Sequence, residues 1–237
     1  MKLKIMSYNI QSCQNFITNR IDFDGLADTI RKYDPDIIGI NEIHADGKDP
    51  QNSGQIKELA SRLGYYSFFA KALHISDENF YGNALLSRYP ILSAEVAMVP
   101  DPVTKRHPEG YYETRCLLKA KVDVAGGVEV RVIHFGLNSD EKENAAATVL
   151  ENLAEEKCIL MGDFNLYPDD PLLDPIREKM IDTADFFPQP LFSYPADDPK
   201  VKIDYMFVSK DWKVLSADIP AELASDHRPY VSELEIG

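Results

Sequence analysis

Apolar and polar positions along the chain follow two different periods, one helical and one extended. Apolar residues at helical spacing, such as Phe23, Leu26 and Ile30, predict three main helices, over Asp22–Lys32, Gln55–Leu63 and Lys142–Leu153. Short apolar runs bounded by Gly, Pro, Asp or Asn predict strands instead. The predicted strands cover Leu3–Tyr8, Asp36–Ile40, Tyr65–Ala70, Tyr81–Ser87, Ile91–Met98, Glu113–Asp123, Val128–His134, Cys158–Met161, Ile203–Val208 and Tyr230–Ile236.

The order of these elements indicates the fold class. A β-α-β beginning is followed by a strand-rich middle, in which Gly126-Gly127 is typical of a hairpin turn. Residues 44–54 and 166–200 are polar or rich in Pro and Asp, so we expect loops there, the second with one short helix. We find no linker or internal repeat and predict one domain over residues 1–237. The pattern favours an α/β sandwich of two packed sheets with helices outside.

Charge and cysteine content narrow the classes of function. Among 237 residues, 25 Lys and Arg face 39 Asp and Glu, which gives a net charge of −14. This balance disfavours a broad grip on nucleic acid, because phosphate contacts need basic side chains, but a bound metal ion could still supply positive charge. The three cysteines are too few for a disulfide framework, so we expect buried free thiols. No signal peptide or membrane span is evident, and we expect a cytoplasmic monomer.

Polar residues stand where the predicted strands meet their loops. Ligands gather at one edge of packed α/β sheets, where loops leave rigid strands. Asn and Asp are common in turns, but six such positions that combine Asn, Glu, Asp and His indicate chemistry rather than turns alone. Carboxylates and amides suit Mg²⁺ or Mn²⁺, and imidazole suits proton transfer near neutral pH. The six positions are Asn9, Asn41-Glu42, His134, Asp163 with Asn165, Asp204, and Asp226-His227.

Eight short motifs follow one another along almost the whole chain. They are SYNI (7–10), NE (41–42), YGNALLSRYPI (81–91), ETR (113–115), IHF (133–135), GDFN (162–165), IDYMFVS (203–209) and SDHRPY (225–230). In this order they resemble the endonuclease/exonuclease/phosphatase superfamily, which includes pancreatic deoxyribonuclease, neutral sphingomyelinases and inositol-polyphosphate 5-phosphatases. The resemblance implies a four-layer α/β/β/α sandwich of the deoxyribonuclease I type, with two mixed sheets. It also implies a phosphoesterase that depends on a divalent metal, Mg²⁺ or Mn²⁺.

The resemblance implies a metal site and a group that acts on water. Glu42 matches the main metal ligand of the family, Asn9 its neighbour on the metal or the phosphate, and Asp226 a further ligand. Asp163 would orient or deprotonate the attacking water, which the metal helps to position. Asn165 would hold a phosphoryl oxygen in the transition state.

The same resemblance assigns histidines and their partners. His227 would be the general acid or base, or would stabilise the oxyanion, and Asp204 would fix its tautomer. His134 and Asn83 would form a second hydrogen-bonding pair near the phosphate. Two further residues would line the site, Tyr81 and Arg115.

Four positions depart from relatives in the family. Asn41 stands where Gln is common, and Gln11 stands where apurinic endonucleases have Asp. Ile133 replaces the usual Thr before the histidine, and Asn83 stands where pancreatic deoxyribonuclease has Glu. None of these changes removes a core catalytic residue, so the resemblance implies an active enzyme.

The sequence leaves three hypotheses for the substrate and activity. Nuclease members usually add basic or aromatic insertions, and we find no cluster of lysines here, so a small or lipid-linked phosphodiester or phosphomonoester is favoured. A nuclease acting on DNA or RNA is the alternative, and a non-catalytic binding module is a third hypothesis. The loop Met98–Tyr112 is the candidate for substrate contact, whereas Trp212 is expected to pack in the core. Three histidines are expected to be solvated or at an edge: His44, His74 and His107.

Overall fold

The structure, a computed structural model, describes residues 1–45, 54–76, 79–188 and 190–237. Within these ranges it has four α-helices: α1 (Phe23–Tyr33), α2 (Gln55–Leu63), α3 (Ser139–Glu151) and α4 (Asp174–Lys179). The strands are β1 (Lys2–Asn9), β2 (Gln14–Asn15), β3 (Arg20–Ile21), β4 (Ile37–His44), β5 (Tyr66–Ser76), β6 (Asn79–Ser87), β7 (Ile91–Met98), β8 (Cys116–Val122), β9 (Val128–His134), β10 (Cys158–Asp163), β11 (Ile181–Asp182), β12 (Asp204–Val208), β13 (Lys213–Asp218) and β14 (Tyr230–Glu235).

Two mixed sheets of six strands each form the centre of the fold. One sheet has the order β13-β14-β1-β4-β6-β5 and the other the order β11-β12-β10-β9-β8-β7. Each sheet holds one parallel pair, β1 with β4 and β9 with β10, and the other neighbours are antiparallel. The carboxyl ends of both parallel pairs therefore provide two sets of strand ends at which side chains can meet.

Three apolar clusters divide the molecule into four layers. The central cluster lies between the sheets and includes Leu3 and Ile5 of one sheet and Val130 and Met161 of the other. A second cluster joins the first sheet to α1 and α2, and a third joins the second sheet to α3 and α4. The α/β/β/α sandwich of two mixed sheets is thus confirmed. The cysteines described by the structure, Cys13, Cys116 and Cys158, are buried free thiols, as expected.

Most element boundaries agree with the sequence, and the differences fall near the polar strand ends. Ile91–Met98 and Val128–His134 are strands as predicted, and Gln55–Leu63 is a helix as predicted. The strand predicted over Asp36–Ile40 continues through Glu42 to His44, so the polar pair lies inside the strand. The predicted polar loop over 44–54 falls largely on residues 46–53, which lie outside the described residues.

Other differences come from caps and from strand edges. The helix predicted to begin at Lys142 begins at Ser139, because the Asn138 backbone N–H donates to Glu141 Oε2 at 3.1 Å and starts the helix earlier. β13, which the sequence pattern missed, is a half-exposed strand at the edge of its sheet. Asp204 is the first residue of β12. No helix within the described ranges is long and apolar enough to cross a membrane.

Candidate active site

The strand register places the predicted site residues side by side. Asn9 of β1 lies opposite Asn41 of β4 in one sheet. In the other sheet Asp163 of β10 lies between His134 of β9 and Asp204 of β12. Because β12 runs antiparallel to β10, its first residue reaches the same edge as the last residues of β9 and β10. One edge of the sandwich therefore collects the polar residues of both sheets.

A bulge in β4 places Glu42 at this edge. The pairing of β4 with β6 shifts register between Ile40 and Ile43, and Glu42 has a φ of 58°, in the left-handed region. A non-glycine residue in this region costs free energy and is found where a side chain must be re-aimed, often beside a functional site. The amide nitrogen of Asn9 donates to Glu42 Oε1 at 3.0 Å and to Asp163 Oδ2 at 3.2 Å. Asn9 thus links a carboxylate of each sheet.

Asn41 joins the two sheets through a fully buried side chain. Its amide nitrogen donates to Asn83 Oδ1 at 2.8 Å and to the Ile133 carbonyl at 2.9 Å. Its Oδ1 accepts from the Asp163 backbone N–H at 2.9 Å. The bonds to Ile133 and Asp163 cross from one sheet to the other, so Asn41 fixes the position of the central carboxylate. Gln is common at this position in the family. In this chain the amide of Asn41 makes the hydrogen bonds that connect the two sheets.

Gly162 permits this close approach of β9 and β10. Its φ is 145°, and a Cβ atom there would lie 1.8 Å from the Ile133 carbonyl oxygen and 3.2 Å from Asn41 Oδ1. Only a residue without a side chain can take this position. The glycine of the GDFN motif therefore sets the backbone that positions Asp163.

Two imidazoles approach the same oxygen of Asp163. The Nε2 atoms of His134 and His227 each lie 3.6 Å from Asp163 Oδ2. The other oxygen, Oδ1, accepts from the Asn165 backbone N–H at 2.9 Å. Burial raises the pKa of Asp163, and the positive charge of His227 opposes this rise. A raised pKa makes the carboxylate a better proton acceptor.

Asp204 orients His227. Its Oδ2 lies 2.8 Å from His227 Nδ1, which leaves Nε2 facing the site. Burial alone would lower the pKa of His227, but the negative charges of Asp204 and Asp163 outweigh it and raise the pKa to about 10. The ring of Tyr194 covers the imidazole, with 4.8 Å between ring centroids. The structure thus brings Asp204 and His227 into contact, and the role of Asp204 in fixing the tautomer stays a prediction.

His134 lies in a different environment. Arg115 Nη1 lies 3.2 Å from His134 Nδ1, and Asn165 Nδ2 lies 3.4 Å from His134 Nε2. Burial and then the positive charge of Arg115 hold the pKa of His134 well below its usual value, so this imidazole is neutral. The predicted pairing with Asn83 is not the one seen, since Asn83 bonds Asn41 and donates to the Cys116 carbonyl at 2.9 Å.

Asp163, Asn165 and both imidazoles line an open cleft of about 440 Å³. Among the described residues that line it, four are carboxylates, Glu42, Glu113, Asp163 and Asp226, and Arg115 is the only Lys or Arg. Tyr81 also lines the cleft, and burial raises its pKa. Such a concentration of carboxylates is favourable only with compensating positive charge, so the cleft fits a divalent cation with oxygen ligands.

One ligand set for that cation is seen among the described residues, and another was predicted from the sequence. The ligand atoms of Asp163, Asp204 and His227 all lie within 4.8 Å of one another. The set predicted from the sequence is Glu42, Asn9 and Asp226, and burial followed by the Asp226 charge raises the pKa of Glu42. Asn9 turns its amide nitrogen toward the carboxylates, while its Oδ1 accepts from the Gln11 backbone N–H at 3.2 Å. Among the described side chains, Asp204 Oδ1 is a buried oxygen without a hydrogen-bond partner.

Several residues of the site were not predicted. Glu113 Oε2 forms an ion pair with Arg115 Nη2 at 2.7 Å. Of the ETR motif, only the arginine was predicted to line the site. Tyr194 lines the cleft, and no periodicity or spacing distinguishes it from other loop tyrosines. Tyr111 belongs to the loop that was expected to contact substrate, and it lines the cleft. His44, predicted to be solvated, is 3% exposed and lies 2.8 Å from Asn79 Oδ1 through its Nδ1.

The fold matches solved structures along the full length of the chain. An endonuclease/exonuclease/phosphatase from Beutenbergia cavernae is 23% identical, with a TM-score of 0.81, over 100% of this chain and 72% of that one. A mannosyl-6-phosphatase from Bacteroides thetaiotaomicron is 18% identical, with a TM-score of 0.76, over 99% and 100%. ANGEL2, a 2',3'-cyclic phosphatase, is 17% identical, with a TM-score of 0.71, over 99% and 95%. No curated protein matches the sequence significantly.

The sandwich and its polar edge define the deoxyribonuclease I-like fold, as these likenesses show. The chain belongs to the Endonuclease/Exonuclease/phosphatase family, whose profile matches residues 6–227. Membership in this family gives the chain its class of activity, that of a phosphoesterase.

Proposed function

We propose that the protein hydrolyses a small or lipid-linked phosphate ester with the help of Mg²⁺ or Mn²⁺, by direct attack of water. One observation supports this most directly. The Nε2 atoms of a neutral His134 and a cationic His227 both lie 3.6 Å from one buried oxygen of Asp163, beside an open acidic cleft. Two imidazoles in opposite protonation states around one carboxylate can hold a proton, release it and stabilise developing negative charge.

Each protein group then has a role that follows from its position. Asp163 accepts hydrogen bonds from the attacking water and orients it toward phosphorus. His227, held by Asp204, donates through Nε2 to an oxygen that gains charge in the transition state. Arg115 and the Asn165 amide supply further donors to phosphoryl oxygens. A divalent cation would be held by carboxylates of the cleft and would act as a Lewis acid that neutralises phosphate charge.

The distribution of charge supports a small substrate. Arg115 is the only Lys or Arg among the lining residues that the structure describes, so these walls offer few contacts to a chain of phosphates. The net charge of −14 adds to this. A nuclease remains the alternative and predicts nicking of plasmid DNA at low salt. Activity as a cytoplasmic monomer is also part of the proposal, and light scattering and cell fractionation would test it.

Hydrolysis of bis-nitrophenyl phosphate and nitrophenyl phosphate with Mg²⁺, Mn²⁺ or EDTA tests the proposal. We expect metal-dependent release of nitrophenol and a loss of about 10²-fold or more in kcat in His227→Ala and in Asp163→Asn. His74→Ala is the matched control, because His74 is an exposed histidine away from the cleft. Activity that survives EDTA and both site substitutions would disprove the mechanism. No turnover across both esters and plasmid DNA would favour a binding module.

A further inference from the structure

Three exposed apolar or aromatic side chains border the cleft. Tyr111 is 67% exposed, Leu137 is 54% exposed and Tyr194 is 38% exposed. All three line the cleft, together with the buried Ile203. Single exposed apolar residues are common on protein surfaces, but several around one concave site indicate a binding surface.

The first two residues lie on the side of Arg115 and His134. Tyr111 donates from its hydroxyl to Glu113 Oε1 at 2.7 Å, and Glu113 in turn pairs with Arg115. The backbone carbonyl of Tyr111 accepts from Asn138 Nδ2 at 2.8 Å. Leu137 follows closely after His134 at the end of β9. Tyr111 is therefore held at its hydroxyl and at its backbone carbonyl, although 67% of its surface is exposed.

The loop that contains Tyr111 is anchored on α3. Arg106 makes two hydrogen bonds to Glu143, at 2.5 and 2.7 Å. The Tyr112 hydroxyl lies 3.0 Å from both carboxylate oxygens of Asp140. These contacts hold the loop in place before any ligand binds, so a ligand packing on Tyr111 would lose little free energy to ordering of the loop.

Tyr194 lies on the other side of the cleft, beside His227 and Asp204. Its backbone N–H donates to the Val201 carbonyl at 3.2 Å, and its carbonyl accepts from the Val201 N–H at 3.1 Å. Its ring packs on His227 with 4.8 Å between centroids. Tyr194 thus contacts one of the two imidazoles beside Asp163, and Tyr111 is linked to the other through Glu113 and Arg115.

The described basic side chains near this border of the cleft contact other groups of the chain. Arg106 is paired with Glu143, and Lys105 lies over the Tyr112 ring at 4.5 Å from its centroid. Arg228 donates from Nε to the Ala196 carbonyl at 2.7 Å. Among the described residues, this border of the cleft therefore presents apolar and aromatic surface, and the basic side chains near it already contact other groups of the chain. It suits an uncharged group attached to a single phosphate.

We propose that Tyr111, Leu137 and Tyr194 form a subsite for an uncharged ring in the alcohol part of the substrate. This inference rests on the proposed function, which places the phosphate among Asp163, His134 and His227. The flat face of a sugar ring or of a nucleobase packs on an aromatic side chain, whereas an acyclic alcohol covers much less of it. The three residues thus determine specificity and bind the part of the substrate that does not react.

Three monoesters of primary alcohols test this subsite, because they share the reacting bond and differ in the attached group. They are glucose 6-phosphate, adenosine 5'-monophosphate and acyclic glycerol 3-phosphate. We expect kcat/KM to be higher for at least one ring ester than for glycerol 3-phosphate. The relevant ratio is kcat/KM for that ring ester divided by kcat/KM for glycerol 3-phosphate. Tyr111→Ala should lower this ratio by about tenfold, mainly by raising KM for the ring ester. The ester whose ratio falls identifies the ring as sugar or base.

Two control variants separate ring contact from general damage. Tyr111→Phe keeps the ring and loses the bond to Glu113, so the ratio should stay within about twofold of the wild-type value. Tyr167→Ala removes a tyrosine that is 60% exposed but does not line the cleft, and it should leave the ratio unchanged. Equal loss on ring and acyclic esters in Tyr111→Ala, or no loss on either, would overturn the subsite.

Binding measured by calorimetry separates this inference from the proposed function. Asp163→Asn serves as the background, with and without Tyr111→Ala, and the same three esters are titrated. Weaker binding of the ring esters alone in the double variant supports the subsite even if the wild type hydrolyses none of the three. Equal binding of ring and acyclic esters in both proteins would overturn the subsite, whether or not the wild type is a phosphoesterase.

Discussion

Asn41→Asp is the sharpest perturbation of the contact between the sheets. The substitution is nearly isosteric, so it changes the hydrogen-bonding capacity of the buried side chain and leaves the packing almost intact. One carboxylate oxygen still accepts from the Asp163 backbone N–H. The other oxygen replaces an amide nitrogen and faces two acceptors, Asn83 Oδ1 at 2.8 Å and the Ile133 carbonyl at 2.9 Å. An ionised carboxylate cannot be accommodated there without repulsion.

The loss of unfolding free energy can be worked out for the case in which the carboxyl group introduced by Asn41→Asp is protonated. A protonated acid donates one hydrogen bond where the amide donated two, which leaves one buried acceptor unpaired at a cost of about 1–3 kcal/mol. Holding an ordinary Asp protonated near pH 7 costs about 4 kcal/mol more, because its unfolded pKa is about 3.9. Near pH 4 this second cost falls below about 1 kcal/mol. The loss of unfolding free energy should therefore be about 5–7 kcal/mol at the higher pH and about 1–4 kcal/mol at the lower.

Urea unfolding at the two pH values, in EDTA, measures this difference. Each variant is compared with the wild type at the same pH, so that other titrating groups cancel. Asn144→Asp is the control, because Asn144 is partly exposed and donates one bond to the Pro100 carbonyl. We expect less than about 1 kcal/mol for this control at either pH. A loss for Asn41→Asp that is below about 1 kcal/mol near pH 7, or is equal at both pH values, would refute the argument.

Three further predictions concern the backbone, a buried lysine and the metal. Gly162→Ala should destabilise the fold by about 3 kcal/mol or more, because of the contact with the Ile133 carbonyl, whereas Gly64→Ala, with a φ of +71° and open space around it, should cost about 1 kcal/mol; thermal unfolding compares them. Burial lowers the pKa of Lys202 to about 8 in the folded chain, although the negative charge of Asp182 opposes this. Above about pH 8, therefore, Lys202 binds a proton more strongly in the unfolded chain than in the folded one. Wild-type stability should rise relative to Lys202→Met by up to about 3 kcal/mol between pH 8 and 10, and parallel pH profiles would contradict this. Mg²⁺ or Mn²⁺ at about 100 times its Kd should stabilise the wild type by about 2.7 kcal/mol, and the melting temperature should not respond to metal in Glu42→Gln.

The sequence predicted the layers and the identity of most polar residues, because both are local signals. Apolar runs such as Val128–His134 form strands wherever they are buried, and the GDFN and SDH motifs place carboxylates and imidazole at strand ends. Contacts between distant segments were beyond this reasoning. The bonds of Asn41 to Ile133 and Asp163 depend on how the two sheets pack. The contact between Arg115 and His134 depends on the direction in which the arginine side chain extends.

The bulge at Glu42 shows a second limit. A continuous strand pattern predicts alternation of side chains between the two faces, and it contains no sign that one residue adopts a φ of 58°. The edge strand β13 was missed for a related reason, since its half-exposed pattern lacks the apolar run of a central strand. Sequence patterns report average burial, whereas the site depends on local exceptions to it.

The acidic cleft connects these exceptions to the stability of the fold. Glu42, Asp163 and Asp226 approach one another only because the sheets pack face to face, so folding itself works against their mutual repulsion. Asn9 and His227 oppose part of this repulsion from within the chain, through a shared amide and an adjacent positive charge. A divalent cation would oppose the remainder and would bring the phosphate to the same place. The carboxylates that repel one another in the folded chain would therefore be the groups that favour binding of a cation, and the strained backbone of Glu42 lies at this same edge.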